Sequence, residues 1–266
     1  MVITNATAPY QGMAAENVFF VSNDNKIPVG TGYIVEVDQS TVYPEMPDTL
    51  YINIESQQQG RNLLFGALLA RAEQIKAMKQ DHPVRLYASL PANQTEMIRF
   101  YEECGLKMDD GEDLYTFAPI PGSQRAPMGM TYGSVQLDSP ALRAAFLERI
   151  NYARLTPFDD EILTYWMRQP HFMALGFYQG SLPVCELLAT GEGDGATLMH
   201  VYTLNEFRRK HYATQLIGAA CQILQGQGVS KMYAHVLHRN TAQMELMKKL
   251  NAQFIKTETA MPGMVL

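Results

Sequence analysis

Two short stretches hold the residues best suited to chemistry. One is Gln57-Gln58-Gln59-Gly60-Arg61-Asn62-Leu63, the other Arg208-Arg209-Lys210-His211-Tyr212-Ala213-Thr214. Each leaves an apolar, β-rich run and enters an amphipathic helix. The first turn of a helix has N–H groups without intrahelical partners and a partial positive charge. A diphosphate can sit there without any net protein charge. Gly60 permits close backbone approach and positive φ. Arg61 adds a cation to the first junction, and Arg208, Arg209 and Lys210 add three to the second. Each junction is followed by a strand and then by a helix that an asparagine precedes, Asn93 and Asn240. A lone Q-x-x-G or R-x-x-x-x-A before a helix is more often just an ordinary loop. The repetition of the whole order is what makes the pattern informative.

Acid–base candidates lie on the third apolar run of each half: Asn53 and Glu55 in the first, His200 and Glu206 in the second. His200 reads either as a functional imidazole or as a satisfied structural residue. Glu186 interrupts the apolar run 182–188. Facing inward it would be expensive to bury unpaired and so a site candidate; strand alternation favours the outward reading. The methionines of the second half read as core filler.

Elements must position these groups. Residues 117–129 contain Pro119, Pro121, Gly122, Pro127 and Gly129, a density of breakers that sustains neither helix nor central strand. The parse is a first domain at 1–120, a linker at 121–127 and a second domain at 128–266. In the second domain a strand follows Met130. Asp138 or Ser139 offers an N-cap with Pro140 at the first helical position, and Leu142, Ala145, Phe146, Ile150 and Ala153 mark the helix face. A helix from Asp159 or Asp160 comes next. Strands at 171–178 and 182–189 flank a hairpin turn, and 196–203 is a third strand. A helix with Ala213, Leu216, Ile217, Ala220 and Leu224 on one face precedes strand 231–237, helix 241–250 and a last strand near Phe254. The first domain repeats the later part of this order: strands 17–21, 29–37 and 49–54, helix 63–79, strand 84–88, helix 94–103 and closing strand 114–118. It lacks the two opening helices. The class is α/β, a mixed sheet with helices on both faces. In each copy a crossover helix joins the third and fourth strands, which must therefore be parallel.

The net charge of −6, with no run of Lys or Arg longer than Arg208-Arg209-Lys210, argues against nucleic-acid or anionic-membrane binding. Three widely spaced cysteines indicate neither a disulfide framework nor a zinc knuckle; no metal is expected. The first residues lack a basic n-region and an apolar h-region, and no window approaches a membrane span. The expectation is a cytoplasmic monomer or homodimer.

At the two junctions the sequence resembles the GCN5-related N-acetyltransferases (GNAT), whose pyrophosphate loop reads Q/R-x-x-G-x-G/A. The first copy matches at Gln57 and Gly60, with Asn62 at the last position. The second matches at Arg208 and Ala213, with His211 where glycine is usual, and Glu206-Phe207-Arg208 is similar to the E-Y-R leading into that loop. Phe100-Tyr101-Glu102-Glu103-Cys104-Gly105-Leu106 resembles the family's late L-Y-x-x-x-G-F; its counterpart is Leu246-Met247-Lys248-Lys249-Leu250-Asn251-Ala252. The resemblance implies two tandem GNAT folds, the first abbreviated at its N-terminus. It implies acetyl-CoA as co-substrate and direct attack by the primary amine of a small acceptor. It also implies that a backbone N–H of the third strand polarises the acetyl carbonyl. Tyr101 would protonate the departing thiolate and Glu55 would serve as base, or Tyr101 is a half-buried core aromatic. Met247 cannot donate a proton.

Gly60 and Tyr101 make the first copy the expected productive one, with the second supplying part of the acceptor cleft. The opening helices and the basic loop favour the second copy. A silent acyl-CoA-binding module, or a structural protein without CoA, is the competing reading.

Overall fold

The computed structural model describes residues 1–40, 42–79, 82–152, 154 and 156–266. Ala153, expected on a helix face, lies outside them. The chain divides into two compact units. One gathers Met1–Glu112 with Thr257–Leu266, the other Asp113–Tyr152 with Thr156–Lys256.

The first unit contains β1 (Val2–Asn5), β2 (Val18–Ser22), β3 (Pro28–Asp38), β4 (Asp48–Ser56), α1 (Gln58–Met78), β5 (Arg85–Ala88), β6 (Leu90–Pro91) and α2 (Thr95–Glu103). Then β7 (Lys107–Phe117) runs on into the second unit. The second unit contains β8 (Thr131–Ser134), α3 (Pro140–Asn151), α4 (Asp160–Trp166), β9 (Met173–Gln179), β10 (Leu182–Glu192), β11 (Gly195–Thr203), α5 (Tyr212–Gly226), β12 (Lys231–Leu237) and α6 (Thr241–Lys249). The final strand, β13 (Gln253–Val265), begins there and ends in the first unit.

The caps form as their chemistry requires. The Ser139 side chain accepts from the Leu142 N–H at 3.3 Å with Pro140 at the helix start, and Asp159 accepts from Ile162 at 2.8 Å. The α1 helix begins five residues before the expected Leu63, at Gln58. Glutamine is a good helix former, and the Gln57 N–H is tied to the Val29 carbonyl at 3.0 Å. Strand therefore passes into helix almost directly.

In the first unit β1 to β5 lie in sequence order, all antiparallel except β4 and β5. The next strand is the end of β13: Gly263, Met264 and Val265 pair with Tyr87, Leu86 and Arg85, and Thr259 and Ala260 with β6. In the second unit β8 to β12 follow in order, with β11 and β12 the parallel pair. There β7 lies beside β12, and the Thr116 hydroxyl donates to the Met232 carbonyl at 3.1 Å.

Each parallel ladder is short. It joins residues 49–52 to 85–88 in one unit and 195–198 to 231–234 in the other. Beyond it β4 and β11 continue toward the crossover helices α1 and α5. The sequence places strand 114–118 and the strand near Phe254 as the closing strands of their own halves. In the structure residues 113–117 belong to the second unit and 257–265 to the first.

Candidate functional site

The two junctions fold differently. In the first unit only Gln57 separates β4 from α1. Gly60 is buried, and a Cβ there would fall 2.5 Å from Ser56 Oγ and 2.7 Å from Val21 Cγ1. Its absent side chain therefore serves helix-on-strand packing. The Gly60 N–H already bonds the Gln57 carbonyl at 3.0 Å. Arg61 is held by Glu96 at 2.5 Å and by the Ser56 carbonyl at 3.4 Å. Gln58, Gln59, Asn62 and Leu63 are exposed along the helix start, and Asn93 is exposed in the turn before α2.

The second junction is a true loop between β11 and α5. It opens with a short 3-10 turn at Asn205–Phe207. Arg209 and His211 then both take a left-handed φ of 63°, with Lys210 between them. Left-handed residues alternating with right-handed ones turn successive N–H groups toward a common side, a geometry suited to an anion. The Arg208 Nε–H donates to the Thr203 carbonyl at 3.1 Å, and Lys210 Nζ lies 5.0 Å from the centre of the Phe207 ring. Tyr212 and Ala213 pack on the core of the unit. His211 and Thr214 line a pocket of about 500 Å³ with residues of the segment 120–127. Gly122 of that segment lies against α5, where a Cβ would meet the Gly218 backbone at 1.9 Å. His211 thus occupies the backbone conformation for which glycine is suited. Relieving it should stabilise: His211→Gly is expected to add about 1 kcal/mol, read as a raised urea midpoint at unchanged slope.

A second difference lies on the strands before these junctions. β3 and β4 pair in unbroken register from Gly30–Ser56 to Asp38–Asp48. Between β10 and β11 the register slips by one: His200 pairs with Leu188 but Leu198 with Ala189, so Met199 has no partner opposite. This β-bulge was not legible in the sequence. Bulges re-aim backbone and are common beside active sites. This one lies where the parallel ladder with β12 stops, at Leu198–Ala234.

The sheet faces remote from the crossover helices also differ. In the second unit α3 and α4 cover that face, burying Ala174 and Leu188. Beyond them Glu186, expected outward, is buried. Its carboxylate takes two hydrogen bonds from Arg149 of α3, 2.6 Å from Nε and 2.9 Å from Nη2. Tyr178 OH lies 3.4 Å away, and Tyr202 faces Glu186 across the strand pair. His200 is on the same face, and Glu206 is exposed in the loop. Asn240 caps α6, accepting from the Gln243 N–H at 3.1 Å.

Among the described residues of the first unit, no helix covers that face. Tyr43, Tyr51, Arg85 and Tyr87 fill it, all buried. Tyr43 donates to Asp110, Tyr87 to Asp109 at 2.7 Å and Tyr51 to Gln39 at 3.0 Å, and the Arg85 guanidinium lies 5.0 Å from the centre of the Tyr43 ring. Burial first, and the neighbouring carboxylate second, push the Tyr43 phenol far above its ordinary pKa. Tyr101 is fully buried on the α1 side, its hydroxyl without a hydrogen bond and its phenol pKa raised by desolvation. Glu55 is exposed and accepts from Asn53 Nδ2 at 3.2 Å. It projects from β4 to the face opposite Tyr101, so the structure does not bring these two together. In α6, Met247 is buried in the core.

Among the described residues no helix is long and apolar enough to cross a membrane, and no group of three or more His, Cys, Asp or Glu side chains could hold a metal ion.

Comparison with known proteins fits this geometry. The model of the acetyltransferase (GNAT) family matches residues 142–252. No curated protein matches the sequence. A probable N-acyltransferase of unknown function from Enterococcus faecalis superposes with a TM-score of 0.54 at 14% identity, covering 92% of this chain and 61% of that one. This chain thus spans about three-fifths of that protein's length. A GCN5-related N-acetyltransferase from Sphaerobacter thermophilus gives 0.51 at 14% identity, covering 96% of this chain and 82% of that one. Residues 142–252 thus match the model of the acetyltransferase (GNAT) family, and the chain shares the fold of these two solved structures.

Proposed function

We propose that the second unit binds acetyl-CoA and transfers the acetyl group to the primary amine of a small acceptor. In this reading the first unit is a supporting copy without turnover. The observation that carries the proposal is the unpaired bulge residue Met199 where the β11–β12 ladder ends, a feature with no counterpart in the unbroken β3–β4 register.

The residues of the second unit fit acetyl-CoA. Arg208, Arg209 and Lys210 and the backbone around His211 hold the diphosphate at the start of α5, where helix dipole and loop N–H groups add to the charge. When bound, acetyl-CoA supplies an activated acetyl thioester. The backbone N–H at Met199 donates to the thioester carbonyl, an oxyanion-type contact. His200, the next residue, takes the proton of the attacking amine. Met247 offers no proton, and the departing thiolate needs little help, since an ordinary thiol has a pKa of about 8.5.

The test compares cations at the two junctions. Acetyl-CoA should raise the melting temperature of the protein, as a ligand bound only to the native state must. Charge-assisted hydrogen bonds contribute about 1.5–3 kcal/mol each, so replacing Arg208, Arg209 and Lys210 together by alanine should weaken acetyl-CoA binding at least ~100-fold. Arg61→Ala should leave it unchanged. Binding lost with Arg61→Ala and kept in the triple variant would move the site to the first unit. Binding in the wild type without CoA release over an amine panel would favour the silent acyl-CoA-binding reading.

A further inference from the structure

The Arg149–Glu186 pair is not explained by folding. The Glu186 side chain has no exposure, whereas Arg149 keeps 30% of its own. Removing a carboxylate and a guanidinium from water costs several kcal/mol per ion before their attraction returns it, and apolar residues of like volume usually stabilise as well or better. What the pair achieves is orientation. Glu186 holds Nε and Nη2 of the guanidinium, and Nη1 donates to the Ala145 carbonyl at 2.8 Å. A planar donor array is thereby fixed in place, with the negative charge of its partner hidden beneath it.

The surroundings point the same way. Gly176 lies beneath the Tyr178 ring, where a Cβ would fall 2.6 Å from Cζ. That ring can therefore lie along the sheet toward Glu186, with its hydroxyl 3.4 Å from the carboxylate. Tyr202, paired with Glu186, and His200 continue this face along β11 beside the bulge at Met199. An acceptor presenting its amine at His200 would thus have the exposed part of Arg149 beside it, on the same sheet face.

We propose that Arg149, positioned by Glu186, binds a carboxylate of the acceptor, so that the substrate of the second unit is an amine carrying its own carboxylate, an amino acid in the broad sense. A guanidinium suits this task because its fork of N–H groups matches the two oxygens of a carboxylate. The inference rests on the reading of the second unit as the acetyl-transferring one.

The test uses acceptor pairs that differ only in the carboxylate: phenylalanine against phenethylamine, lysine against cadaverine, 4-aminobutyrate against propylamine. One charge-assisted contact corresponds to about a ten- to hundredfold difference. At least one carboxylated member should exceed its partner by that factor in kcat/KM, measured as CoA release. It should also bind the acetyl-CoA-loaded protein more tightly by calorimetry, a readout that needs no turnover. The double variant Arg149→Met/Glu186→Leu removes both charges together, which keeps the fold from facing an unpaired ion. In it the carboxylate preference should vanish while acetyl-CoA still raises the melting temperature. Equal binding and turnover of every pair in the wild type, or a preference that survives the double variant, overturns the proposal. If acetyl-CoA fails to raise the melting temperature of the wild type, the failure belongs to the underlying assignment of the second unit.

Discussion

A chain ending at Lys256 should lose the folded first unit and keep the core of the second. The strand that would be removed supplies Gly263, Met264 and Val265 to β5 and Thr259 and Ala260 to β6, and the Leu266 N–H bonds the Val84 carbonyl at 2.9 Å. Ala260 and Met261 are buried, and Met264 and Leu266 pack on the core around α1. Each large apolar side chain so placed contributes about 1.5–3 kcal/mol. The loss also bares β5, all four of whose residues are buried. A total above about 5 kcal/mol is comparable with the whole net stability of a domain. Limited proteolysis should then cut within residues 1–112 while a fragment containing α3 to α6 resists. The point variant Gly263→Val probes the same contact, because a Cβ there would fall 2.3 Å from the Tyr87 ring and 2.8 Å from the Leu86 carbonyl. Overpacking of this kind costs about 1–3 kcal/mol. Were the truncated protein to lose its second unit and keep its first, the membership of this strand would be wrong.

The second large effect concerns turnover. His200→Ala should lower acetyl transfer about 10²–10⁴-fold, the range ordinary for loss of a general base. Acetyl-CoA binding should persist, since the loop proposed to hold the diphosphate lies beyond the end of β11 at Thr203. Added imidazole should restore part of the rate. Tyr101→Phe is the contrast. It deletes a buried hydroxyl without a hydrogen bond and keeps the ring, so stability should hold or rise, and turnover should not change. A Tyr101→Phe enzyme with turnover reduced by the factor expected of His200→Ala would sink the assignment and move the chemistry to the first unit.

Much of the fold was legible in residue order. Ser139-Pro140, Asp159 and Asn240 cap helices through contacts only a few residues long, and the apolar stripe beginning at Leu216 admits one period. The parallel pairs follow from helices α1 and α5, since a strand–helix–strand crossover leaves no other geometry. The resemblance at Arg208–Ala213 falls within the residues that the acetyltransferase (GNAT) family model matches. Three matters needed tertiary structure. Gly60 fits a loop motif, yet it lies in a helix against Ser56 and Val21, and no local pattern states what a glycine faces. Glu186 sits in ordinary alternation, and only the arrival of Arg149 from α3 makes its burial tolerable. The bulge at Met199 is a mismatch between two strands and so belongs to neither sequence alone. The same reason governs the final strands: local pattern makes 107–117 and 253–265 extended, but which sheet they join depends on the edge that can pair with them.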